Sequence, residues 1–95
     1  MSTKADFIKR QHDEVRETLD RLREHQEDLA ERLSSEPENE DLKALLGEAE
    51  LGVRALEPVF DEFERADVEP EEMVDYTTTI DEWQEREKDL ANRLK

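Results

Sequence analysis

Cysteine is absent from this 95-residue chain, and with it go a disulfide framework and any zinc site or nucleophile built on sulfur. Glycine occurs only at Gly47 and Gly52, too sparsely for a loop that cradles phosphate. Serine is confined to Ser2, Ser34 and Ser35, and none lies in a Gly-x-Ser-x-Gly turn, so the usual hydrolase nucleophile has no seat. The two histidines, His12 and His25, fall on one stretch of helical pattern about 20 Å apart, which denies them a shared centre. Neither has a glutamate three residues before it, the spacing a di-iron carboxylate site requires. No apolar run approaches the roughly 20 residues of a membrane-spanning helix. The opening segment, MSTKADFIKR, also lacks the apolar stretch of a secretory leader. These absences lead us to expect a cytoplasmic, non-enzymatic protein with no cofactor and no metal.

Charge is what the chain has in abundance. Charged residues make up 45% of it, the mean hydropathy is −1.08 and the net charge is −15. Such a composition alone would permit disorder, but the apolar residues are placed too regularly for that. In the first third, Ile8, His12, Val15, Leu19, Leu22, Gln26, Leu29 and Leu33 recur at alternating steps of four and three. That heptad spacing predicts a helix over about 4–34. A second seam, Leu42, Leu46, Ala49, Val53, Leu56, Phe60 and Phe63, predicts a helix over 36–65, with Ser35 as its cap and Pro37 in its first turn. Pro58 falls inside this pattern without shifting its phase, so a kink is expected there. After Pro70, Met73, Tyr76, Thr77, Ile80, Trp83, Gln84, Glu87, Leu90 and Leu94 predict a third helix over 70–93.

Short connections between three such helices predict one all-α domain spanning 1–95, an antiparallel three-helix bundle with coiled-coil-like packing. A dimer joined through the first helix is the rival, since a strict heptad suits pairing between chains as well. Folding the chain near residues 35 and 68 sets Leu19 beside Gly52 and Trp83. The missing side chain of Gly52 then leaves a notch for the indole. His12 and Gln26, the polar members of the first seam, are expected to be buried groups that pin helix register, His12 by bonding to Tyr76 or Thr77. A switching role for His12 also stays open, because histidine titrates near neutral pH. An arginine of the first helix such as Arg23 is the expected partner of Glu87, and His25 is expected on the solvent flank.

The acidity is uneven. Residues 1–34 carry seven basic and nine acidic side chains, whereas residues 35–95 carry seven basic and twenty acidic, a net −13. A field of that sign repels nucleic acid and anionic lipid, so neither direct nucleic-acid binding nor membrane binding is expected. Glu62, Glu64, Asp67, Glu69, Glu71, Glu72 and Asp75 form a candidate acidic binding surface near the end of the second helix and the start of the third. They lack the Asp-x-Asp-x-Asp-Gly spacing of a calcium loop. Ala44, Leu51 and Ala55 lie off the main seam of the second helix and Val74 off that of the third, which marks them as a candidate partner or oligomer surface.

Two functional readings follow. The first is a helical protein–protein interaction module, an adaptor or assembly subunit, whose partner is another protein, a basic one or a second copy of this chain. Its acidity would then serve solubility in a high-salt cytoplasm. The second is an inhibitor that imitates the charge of nucleic acid and binds a basic DNA- or RNA-binding protein.

Overall fold

In a computed structural model the described residues, 3–65 and 70–94, form three helices packed against one another, with no strand among them. Side chains are described for residues 6–65 and 75–94. The elements are α1 (Thr3–Ser35), α2 (Glu40–Glu64) and α3 (Pro70–Arg93). The molecule measures 53 × 21 × 17 Å, so α1, with 33 residues rising about 1.5 Å each, spans nearly its whole length. No helix among the described residues is long and apolar enough to cross a membrane.

α2 starts four residues later than the Ser35–Pro37 signal suggests. Ser35 is the last residue of α1, and the Glu36 amide donates to Arg32 O at 3.0 Å to finish that helix. Asn39 is the actual cap: it is extended, and its Oδ1 accepts from the Leu42 amide at 3.2 Å. A serine two residues before the proline and an asparagine two residues beyond it are both good caps. Three residues after Asn39, Leu42 enters the core, where it is 8% exposed. At the other end, α2 runs unbroken through Pro58. Pro58 denies the Arg54 carbonyl its usual donor, but both residues are exposed, so water can serve instead.

The core takes its members from all three seams. Val15, Leu22 and Leu29 of α1, Ala49 and Leu56 of α2, and Ile80 of α3 are fully enclosed, each at 0% exposure. Around them pack Phe7, Leu33, Leu46, Val53 and Phe60, all partly buried. Contacts between α1 and α2 run in opposite sequence directions: His12 meets Phe60 and Glu64 at one level, and Leu22 meets Gly52 at another. α2 and α3 behave alike, with Phe63 against Tyr76 and Gly52 against Trp83. Contacts between α1 and α3 run in the same direction, His25 to Glu87 and Arg32 to Leu94.

Trp83 does occupy the notch at Gly52. A Cβ at that glycine would lie 2.8 Å from Trp83 Cζ3 and 2.7 Å from Leu22 Cδ1. The α1 residue at this level is thus Leu22, not Leu19. Because the chain turns around residues 36–39 instead of at 35, the pairing of α1 with α2 shifts by about one helical turn.

Candidate interaction surface

α1 faces two neighbours, and one heptad seam cannot serve both. Beside its apolar seam runs a second stripe at seven-residue spacing, Gln11, Thr18, His25 and Arg32. Gln11 and Thr18 are buried at 6% and 3% exposure, and His25 and Arg32 reach α3. All four residues are polar, so a reading that sorts positions by hydropathy places them outside; only the seven-residue spacing betrays them.

His25 is therefore not a solvent-flank residue. Its Nε2–H donates to Glu87 Oε2 at 2.8 Å, across the α1–α3 interface. The Glu87 side chain is 6% exposed, and its other oxygen lies 3.7 Å from Arg21 Nη1, so the α1 arginine that approaches it is Arg21 and not Arg23. Arg23 is exposed. One turn separates Arg21 from His25, which puts both on the α3 side of the helix. A polar cleft of about 120 Å³ opens beside this group, lined by Glu17, Thr18, Arg21, Gln84, Glu87 and Lys88. The Thr18 hydroxyl in it donates to Glu14 O at 2.9 Å and so has its hydrogen committed to the helix.

His12 also differs from expectation. It bonds neither Tyr76 nor Thr77 but Glu64 of α2, with Nε2 2.7 Å from Oε1, while its ring packs on Phe60 at 5.1 Å between centroids. The His12 ring lies on Phe60 of α2, and Glu64 stands one turn farther along that helix, which puts the α2 carboxylate within reach. The pair is open to water, with His12 24% and Glu64 55% exposed, so it is a surface clasp and not a buried pin. Gln26 is half-buried. The enclosed amide of α1 is instead Gln11, whose Nε2 donates to Glu14 at 3.3 Å and whose Oε1 has no hydrogen-bond partner among the described residues.

The interface between α2 and α3 is closed by Arg86. Its guanidinium carbon lies 4.0 Å above the Trp83 ring, and its nitrogens form ion pairs with Glu48 and Glu82. A shallow groove of about 230 Å³ lies alongside, floored by Leu45 and Leu90 and edged by Glu48, Glu85, Arg86, Asp89 and Arg93.

Of the candidate acidic surface, Glu64 belongs to the His12 clasp and Glu62 lies 3.9 Å from Arg65. Asp75 is exposed, and its backbone carbonyl accepts from the Thr79 hydroxyl at 3.1 Å. Asp67 and Glu69 lie outside the described residues, as do the side chains of Glu71, Glu72 and Val74. Among the described residues, no group of three or more histidines and carboxylates is placed to hold a metal ion.

On the outward side of α2, Ala44 is exposed and Leu51 is 51% exposed, the one large hydrophobic residue so placed among the described residues. Ala55 is partly buried against the edge of the core. Gly47 and Pro58 complete this face, both exposed. Comparison with protein-family models, curated proteins and solved structures finds no match to this chain.

Proposed function

We propose that the chain is an antiparallel three-helix bundle with coiled-coil-like packing, and that it works as a non-enzymatic protein–protein interaction module whose contact surface is the outward face of α2. The observation that supports this reading is Leu51, half exposed on a helix that otherwise turns its large apolar side chains inward. Around it stand Ala44 and Gly47, side chains too small to keep another surface at a distance. The surplus of carboxylates serves solubility in a salt-rich cytoplasm. The rival reading, an acidic mimic of nucleic acid, draws on the −13 carried by residues 35–95. It is the weaker, because Glu82 and Asp89 of α3 are interleaved with Arg86 and Arg93, which breaks up a row of phosphate-like charges.

Wild type and Leu51→Glu, immobilised side by side in extract of the native cell, test the proposal. A specific partner retained by wild type and lost by the variant, with equal melting temperatures for the two baits, is the expected result. Equal retention by both would reject the α2 face. Retention by both that falls steeply as salt is added would favour the acidic mimic.

A further inference from the structure

We infer that the outward face of α2 pairs with the same face of a second copy of this chain, the two helices lying antiparallel and crossing at Leu51. The inference rests on the reading of that face as a contact surface and names its occupant.

The two glycines start the argument. A glycine inside a helix costs stability relative to alanine, so each needs a reason. Gly52 has one within its own fold, since a Cβ there would meet Leu22 and Trp83 at under 3 Å. Gly47 has none: no atom lies within 4 Å of where its Cβ would be, and the residue is exposed. Close approach of a backbone from outside the chain supplies the missing reason.

An antiparallel neighbour crossing at Leu51 brings residues at equal distances before and after it together. Leu51 then meets its own copy on the two-fold axis, Gly47 meets Ala55 of the second copy, and Ala44 meets Pro58. Ala44, Gly47, Ala55 and Pro58 are small or flat, so Leu51 and its copy alone set the spacing on the axis, within the usual range of about 8–10 Å. The same geometry sets Glu48 against Arg54, opposite charges on both sides of the axis. A parallel pairing would instead set each of these residues against its own copy and repel at both. Charge therefore selects the antiparallel form. Within the chain Glu48 already pairs with Arg86, so its carboxylate would lie between two guanidinium groups.

The net charge of −15 on each copy opposes the pairing until salt screens it. Self-association should therefore strengthen from about 0.1 M to about 1 M sodium chloride, as the screening length falls from about 10 to about 3 Å. A basic helix on the same face would respond in the opposite sense.

The test uses sedimentation equilibrium of wild type, Leu51→Glu and Arg54→Glu at both salt concentrations, up to millimolar protein. Air oxidation of Leu51→Cys is compared with that of Ala30→Cys, a site exposed on α1; the absence of native cysteine makes each thiol unique. We expect a wild-type dimer that strengthens with salt, no dimer for Leu51→Glu, and association roughly tenfold weaker for Arg54→Glu at low salt. The Leu51→Cys protein should form its disulfide dimer faster than the Ala30→Cys protein. A wild type that is monomeric at both salt concentrations, or equal oxidation rates at the two sites, would overturn the pairing. If Leu51→Glu nevertheless loses a partner in the cell-extract experiment, the contact-surface reading survives without the second copy. If it loses none, both fall.

Discussion

His25 of α1 donates to Glu87 of α3 across 2.8 Å, and this bond satisfies a carboxylate that is 6% exposed. Glu87 is the buried acidic residue among the described ones, so the fit of α1 against α3 depends on a partner for it. Removing the imidazole leaves the carboxylate enclosed, with only a 3.7 Å approach from Arg21. We therefore expect His25→Leu to cost about 2–3 kcal/mol in urea unfolding. The double variant His25→Leu/Glu87→Leu should recover most of that loss, since a well-packed apolar pair can replace a buried polar one. A double variant as unstable as the single one would show that the polar pair contributes more than mutual satisfaction.

The other histidine should behave differently. His12 and Glu64 bond at a similar distance, but the glutamate is 55% exposed and either group can turn to water when the other is removed. Glu64→Gln should shift stability by no more than about 1 kcal/mol, and by less in high salt. A loss of the size expected at His25 would mean that the clasp is less open to water than its exposure indicates.

Alanine separates the two glycines. In the monomer, at dilute protein and low salt, Gly47→Ala adds a methyl to open space and improves helix propensity, so the melting temperature should rise, for about 1 kcal/mol of added stability. Gly52→Ala drives the same methyl into the Trp83 ring and the Leu22 terminus, and the overpacking of about 1–3 kcal/mol outweighs the propensity gain. The two melting temperatures should move in opposite directions. Gly52→Ala should also displace the indole and alter the fluorescence of this single tryptophan.

Gln11 offers a stabilising change. Its enclosed Oε1 accepts no hydrogen bond among the described residues, a state that costs about 1–3 kcal/mol. Gln11→Leu keeps a similar volume, removes that carbonyl and should raise the urea midpoint. A lowered midpoint would show that the amide has a role in holding α1 in place.

Much of the helical architecture can be read from the chain, because heptad spacing and proline positions are local signals. Leu22, Leu29, Leu56, Ile80 and Leu90, all members of the expected seams, are among the most enclosed side chains. The Gly52–Trp83 fit was also legible, since a small and a large residue fall at the same level once the chain is folded twice. The polar contacts were not. Which carboxylate each histidine meets depends on rotation and stagger between helices of only about one turn, and for α1 against α2 that stagger follows from the turn through Glu36 and Asn39. A local motif with two competent caps does not choose between them.

Periodicity and composition by themselves determined three helices, their apolar seams and an acidic exterior, because these follow from residue type and spacing along a single helix. Only the tertiary structure decided that Asn39 caps α2, that His12 faces Glu64 and His25 faces Glu87, and that Gln11 and Thr18 are enclosed. Those outcomes turn on which side chains compete for one enclosed space, and that competition exists only once α1, α2 and α3 are brought together.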